Sequence, residues 1–268
     1  MLPQAADYRA ECDDLASVLA SIDMTAWDTV TQFKGWTFRD IVGHLFMFDS
    51  AARLTVEDPP AFRRLLSDVQ RALNEGATMV TYTREWLGDV TSAELLDRWR
   101  ATSTGLADLY ANLEPGHRVA WAGPDMSVKS CISARQMEVW AHGQAVYDAT
   151  GRARVEADRI ENVVVMGVNT FGWTFAVRGL PVPAARPHVR LTLPSGATRT
   201  WNSPDDANRI EGSAVEFCRV VTQTRSIADT NLIVVGEGAC AWMSMAQCFA
   251  GPPESPPQAG TRFTALRV

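Results

Sequence analysis

The chain has 268 residues, with 31 acidic and 25 basic side chains and a formal net charge of −6. Hydrophobic residues make up 46% and charged residues 21%, which is enough apolar mass for a core and excludes disorder as the main state. The acidic balance argues against a nucleic-acid-binding surface, which needs a basic excess. The length allows one large domain or two ordinary ones. The first 150 residues hold 21 acidic and 13 basic side chains, the rest 10 and 12, and that asymmetry points to two units.

Cys12, Cys131, Cys218, Cys240 and Cys248 are an odd set with wide spacing and no CxxC pair. They do not read as a disulfide framework, so a reducing cytoplasm is the expected home. Met1 to Glu11 lacks the basic-then-apolar pattern of a signal peptide. The uncharged run 162–177 is too short to span a bilayer, so no membrane partner is expected.

In chain order, residues 4–21 place Ala5, Tyr8, Cys12, Leu15, Val18 and Leu19 at helical spacing. Residues 22–36 are irregular and carry Trp27 and Trp36. Thr37 predicts an N-cap, with Asp40 completing a capping box, and the helix that follows runs from Phe38 to about Leu54. Asp58-Pro59-Pro60 breaks it, and Pro60 suits the first turn of a new helix over 61–88. Thr91 or Ser92 caps another helix, to about Leu113, which Pro115-Gly116 ends. Residues 117–129 read as a connecting loop, and a last helix runs from about Ser130 to Thr150, terminated by Gly151. Long helices with short loops predict an antiparallel four-helix bundle.

After Gly151 the texture changes. Residues 156–178 begin helical and are interrupted by Gly167 and Gly172, and Leu180-Pro-Val-Pro183 resembles a linker. Residues 189–193 alternate like a strand, 194–196 make a turn, and 197–201 read as the returning strand. Residues 210–222 predict a strand end and a short helix, 232–235 a buried strand, and 242–249 a final helix. Gly251 to Pro257 is tail-like. The expected fold class is α+β. A helical bundle spans 1–151, a connecting helix and linker 152–183, a small α+β domain 184–250 and a tail 251–268.

Only His44, His117, His142 and His188 are present, and HExxH, a Walker loop, a dinucleotide-binding glycine pattern and GxSxG are all absent. What remains is Glu138-Val-Trp-Ala-His142. Glu and His at i and i+4 share a helix face, about 6 Å apart at Cβ, and can offer one carboxylate oxygen and one imidazole nitrogen to a cation. By spacing alone a hydrogen-bonded pair is the commoner meaning. His44 lies in the apolar stretch Ile41-Val-Gly-His-Leu-Phe-Met-Phe48, where an imidazole needs a partner. It is either a core histidine bonded to a carbonyl or a third ligand facing Glu138 and His142, with Gly43 permitting close helix packing. Two imidazoles and a carboxylate leave a coordination position open, as catalytic sites do.

Trp36-Thr-Phe-Arg-Asp-Ile-Val-Gly-His-Leu45, Trp121-Ala-Gly-Pro-Asp-Met-Ser127 and Arg135-Gln-Met-Glu-Val-Trp-Ala-His-Gly-Gln144 resemble the mycothiol-dependent maleylpyruvate isomerase family. The resemblance covers nearly the whole chain and is most specific over 36–48 and 121–151. It implies a DinB-like bundle followed by a smaller sterol-carrier-like domain. It also implies a divalent ion, usually zinc, held at positions matching His44, Glu138 and His142. The implied chemistry has a low-molecular-weight thiol, mycothiol, add to an activated double bond of a small carboxylate substrate. Isomerisation follows if the thiol leaves, and S-transfer if the adduct is retained. Relatives often carry an acid directly after the His-Gly-Gln stretch; here position 145 is Ala, and Asp148 comes later.

Arg135, one turn before Glu138, is a candidate catalytic anchor for a substrate carboxylate; a partner for Glu138 or a surface salt bridge are its alternatives. Arg219 and Arg225 are candidate anchors for the acidic part of the thiol cofactor. Cys131 reads as a small buried hydrophobe, His117 and His188 as surface residues, and Trp121, Trp140 and Phe46 as pocket-lining candidates. Competing classes are a two-His-one-carboxylate iron enzyme that uses oxygen and a non-catalytic metal- or ligand-binding protein. The expected partners are the small substrate and the thiol, with the chain a monomer or homodimer.

Overall fold

The computed structural model describes residues 1–265. The chain divides into two compact units, Met1–Val146 and Tyr147–Val268.

In the first unit, helix α1 spans Pro3–Ala20, α2 Phe38–Glu57, α3 Pro59–Asn74, α4 Met79–Leu87 and α5 Ser92–Ala111. Strands β1 (Arg118–Trp121) and β2 (Gly123–Ser127) precede α6, Val128–Thr150, whose last residues belong to the second unit. The start of α2 follows from its cap. Asp40 N–H donates to Thr37 Oγ1 at 3.1 Å, and Asp40 Oδ2 accepts from Thr37 N–H at 2.9 Å. Arg84 of α4 then forks the same carboxylate at 2.7 and 2.8 Å. A capping box also starts α5, between Thr91 and Glu94.

The single helix expected over 61–88 is two helices. Gly76 takes φ +97° and ends α3, and a Thr78/Thr81 capping box starts α4, because a left-handed residue after the last turn releases the chain from the helix. The loop expected over 117–129 is a hairpin. Val119 pairs with Met126 and is 3% exposed, and Val128 N–H donates to the His117 carbonyl at 2.8 Å.

Helix directions follow from cross-helix bonds. Leu2 N–H donates to the Ala111 carbonyl at 3.1 Å and Arg9 pairs with Asp108, so α1 and α5 are antiparallel. Between α2 and α5, Arg39 reaches Ser92, Asp49 meets Trp99, and Thr55 meets Tyr110. Both numbers climb together, so these two helices run the same way, and α3 with α4 forms the crossover that makes this possible. Between α2 and α6, Asp49 meets Arg135 and His44 meets Glu138, which is antiparallel.

The second unit holds α7 (Glu161–Asn169), α8 (Phe171–Ala176), β3 (His188–Thr192), β4 (Thr198–Trp201), β5 (Arg209–Ser213), α9 (Ala214–Val221), β6 (Ile233–Val235) and α10 (Glu237–Met243). The sheet order is β4-β3-β5-β6, with β3 and β5 parallel and the other pairs antiparallel. Phe171 and Phe217 each meet Trp242 edge to face, and Phe175 packs at a tilt on Phe171.

Three expectations are corrected here. The break between α7 and α8 falls at Thr170, not at the glycines. Gly167 is a packing residue, since a Cβ there would lie 2.9 Å from Phe217 and Val221. Strand β6 is an edge strand with Ile233 52% exposed, not a buried one. The final helix comes earlier, at 237–243, opened by Gly236 at φ +94°. The proline-rich segment after Gly251 is tied in: Glu254 N–H donates to Gln247 Oε1 at 2.9 Å, and its carbonyl accepts from Gln223 Nε2 at 3.0 Å. No described helix is long and apolar enough to cross a membrane.

The cap on α2 makes stability pH-dependent. Burial pushes the Asp40 carboxyl up, but the Arg84 fork and the Thr37 donors outweigh it and hold it below the usual carboxylate range. Stabilisation from a depressed carboxyl is complete above the unfolded value, about 4, and is lost as pH falls through the folded value. Asp40→Asn should cost about 1 kcal/mol at pH 7. Denaturant melts should show that difference shrinking in acid.

Candidate metal centre

The apolar spacing of α2 and α6 buries their facing surfaces and leaves three polar side chains pointing into one place. On α6, Glu138 and His142 share a face one turn apart; His142 Nε2 and Glu138 Oε2 lie 3.0 Å apart. From α2, His44 Nε2 lies 3.5 Å from the same oxygen. One donor atom from each of the three is within 4.8 Å of the others. The side chains are 12%, 21% and 11% exposed for His44, Glu138 and His142, so the cluster is mostly covered yet reachable. Gly43 makes room beside it: a Cβ there would sit 2.7 Å from Leu87 Cδ1, so α4 approaches α2 closely.

Electrostatics suits the cluster to a cation. Burial lowers the His44 imidazole to about 4, against the opposing pull of Glu138, so the ring is neutral at pH 7. Burial alone would raise Glu138, but its bonds to His142 and His44 take it well below the usual range. A neutral imidazole and an ionised carboxylate are the states that ligate a metal. The surroundings are aromatic. Trp36 stacks on His142 at 5.4 Å and 6°, Phe33 meets His142 edge-on at 4.9 Å, and Phe48 lies 4.8 Å from the His44 ring. The Nδ1 atoms of both histidines are buried without a hydrogen-bond partner among the described residues. This donor set fits a divalent ion taking two nitrogens and an oxygen.

The three other expected site residues each lie beside a carboxylate. Arg135 is 2% exposed and its Nε donates to Asp49 Oδ1 at 2.8 Å. It forms a core ion pair with Asp49, and its Nη2 is buried with no hydrogen-bond partner among the described residues. Asp49, itself 0% exposed, also accepts from Trp99 Nε1 at 2.9 Å. In the second unit Arg225 forks Asp148 at 2.7 and 2.8 Å and donates to the Thr224 carbonyl. Arg219 lies 3.8 Å from Glu156. The Asp148 carboxylate, the acid that follows Ala145, accepts from Arg225 and from Thr264 Oγ1.

Burial pushes the Cys131 thiol up to about 11, in keeping with an inert core cysteine. Trp140 is core at 1% exposed, and Phe46 packs on Trp86. Trp121 stacks on Phe62 and lines an apolar cavity with Met47, Phe48, Leu66 and Val69.

Sequence reasoning missed Asp49, Phe33 and Phe48. A lone acid directly after the apolar run 45–48 was the available signal for Asp49, and an aromatic at i+4 from His44 the signal for Phe48.

A family model described as the mycothiol maleylpyruvate isomerase N-terminal domain matches residues 8–147. Two uncharacterized proteins of Mycobacterium tuberculosis, one from each of two strains, are 39% identical over 251 residues, covering 94% of this chain and 96% of each of them. The crystal structure of the mycothiol-dependent maleylpyruvate isomerase matches with a TM-score of 0.51 at 14% identity, over 81% of this chain and 87% of that one. A mutant of that isomerase matches with a TM-score of 0.53 at 13% identity and the same coverage. At such identities the likeness is one of fold.

Removing Asp49 leaves a buried guanidinium uncompensated. Asp49→Ala should destabilise the first unit by about 3–5 kcal/mol, read as a lower midpoint in denaturant; a cost below about 1 kcal/mol would show that the pair is dispensable.

Proposed function

Since the chain belongs to the family of the mycothiol maleylpyruvate isomerase N-terminal domain, we propose that it is an isomerase using a low-molecular-weight thiol, mycothiol. Its substrate is a small unsaturated carboxylate, and a divalent cation is held by His44, Glu138 and His142. What supports the metal reading is the meeting of these three side chains within 4.8 Å inside an aromatic surround. When bound, a cation such as zinc supplies Lewis acidity and lowers the pKa of a thiol toward neutrality.

The chain contributes the rest. The carboxylate of Glu138 is the one formal negative charge among the three ligand side chains, so a divalent cation held there would leave a net positive centre to attract a thiolate and a substrate carboxylate. Trp36, Phe33 and Phe48 exclude water from the ring faces and strengthen those attractions. The reaction class is thiol addition to an activated cis double bond, rotation about the resulting single bond, and elimination of the thiol to give the trans alkene. Nothing is consumed, because the thiol returns. A retained adduct, making the protein an S-transferase, is the second reading. The odd number and wide spacing of the cysteines are in keeping with a reducing cytoplasm.

Single changes His44→Ala, Glu138→Ala and His142→Ala should each sharply lower metal content by elemental analysis, with helical circular dichroism unchanged. Equal occupancy in all three variants would overturn the assignment. Zinc in protein purified without added metal favours thiol chemistry, and iron favours oxygen chemistry. Mycothiol with a cis-unsaturated dicarboxylate should give the trans isomer; a stable thioether would assign S-transfer.

A further inference from the structure

Both candidate ligand imidazoles lack the partner that usually orients a metal-binding histidine. Such a ring almost always donates its second nitrogen to a carboxylate, carbonyl or water, and that bond fixes its rotamer. Here His44 Nδ1 and His142 Nδ1 are buried with no hydrogen-bond partner among the described residues. Their Nε2 atoms nevertheless both aim at Glu138 Oε2.

The segment just before α2 shows what aims them. Trp36 N–H donates to the Phe33 carbonyl at 2.9 Å, and the residues between, Lys34 and Gly35, take φ +52° and +70°. Two left-handed residues inside a four-residue hydrogen-bonded turn are the signature of a type I′ turn. Such a turn sets its first and fourth side chains next to each other, and the Phe33 and Trp36 rings are 5.1 Å apart. The turn is anchored at its base. Val30 bridges Thr37, and Thr31 N–H donates to the Trp36 carbonyl at 2.8 Å. Thr37 is itself the cap of α2. The two aromatics are thereby fixed to the helix that carries His44.

Their rings cover both imidazoles. Trp36 lies flat on His142 and 5.2 Å from His44, and Phe33 stands edge-on to His142. Phe48, one turn after His44, closes the other side of that ring. A swing of either imidazole would break an aromatic contact worth about 0.5–1.5 kcal/mol.

We propose that the Phe33–Trp36 turn is a positioning device for the metal site, holding the His44 and His142 rings by packing where hydrogen-bonding partners are missing. The proposal rests on the metal reading for one of its two tests only. In the first, Co2+ is titrated into metal-free full-length protein against a chromophoric chelator. Trp36→Leu should weaken binding about 10-fold or more, the scale seen for loss of an orienting partner, and alter the cobalt absorption bands. Trp36→Phe, which keeps a ring in place, should remain within about 3-fold.

In the second, nuclear Overhauser contacts between the His142 ring protons and the Glu138 methylenes are recorded without metal. They should be present in the wild type and in Trp36→Phe, and lost in the Phe33→Leu/Trp36→Leu double variant, with thermal melts confirming that each variant is folded. Contacts that persist in a folded double variant would overturn the proposal, as would unchanged cobalt affinity and spectrum in Trp36→Leu. A wild-type chain that takes up no cobalt would end the metal reading, and the ring-contact result would still decide the positioning role.

Discussion

Asp49 and Arg135 meet at 2.8 Å with side-chain exposures of 0% and 2%. Two charges so far from water survive only as a pair, because either alone would cost several kcal/mol. Asp49 is on α2 and Arg135 on α6, so the pair dictates how far one helix slides along the other. His44 lies five residues before Asp49, and Glu138 three residues after Arg135. Fixing one contact in an antiparallel pair therefore brings the other two side chains opposite each other. Trp99 donates to the same aspartate from α5, so a third helix is held in the same register. A slip by one turn, about 5.4 Å, would carry His44 past Glu138 and leave both charges of the pair exposed to apolar walls.

The cluster that results combines opposite requirements. Burial makes His44 neutral and would neutralise Glu138 as well, but two imidazole contacts keep the carboxylate ionised. The aromatic turn of Phe33 and Trp36 supplies the low-polarity cover and, through Thr37, is continuous with the cap that starts α2. Local chain geometry and site geometry are therefore coupled: the same short segment begins the helix and roofs the site. The second unit has its own buried ion pair, Arg225 with Asp148, bidentate and reinforced by Thr264.

The four bundle helices were legible because their determinants are local. The Thr37/Asp40 and Thr91/Glu94 boxes, the prolines at 59 and 60 and the glycine at 151 mark ends that the structure places within a few residues of expectation. Elements set by left-handed glycines were less so. Gly76 divides a periodic stretch into α3 and α4, while Gly167 and Gly172 divide nothing, and only the backbone angle distinguishes the two cases. The hairpin after His117 was missed because two short strands with a one-residue turn leave little periodicity. Strand β6 read as buried from composition alone, and among the described residues it is the last strand of the sheet, paired only with β5.

By itself the amino-acid order determined the fold class, the starts of the helices with capping boxes and the candidate ligands His44, Glu138 and His142, since each depends on residue chemistry and short-range spacing. Only the tertiary structure decided which carboxylates the arginines pair with, because a guanidinium reads the same in sequence whatever its partner. It also decided that α2 and α5 run in the same direction and that Trp36 lies on His142. Both are relations between segments that touch only after the chain has closed around its core, where packing and desolvation, not spacing, choose the partners.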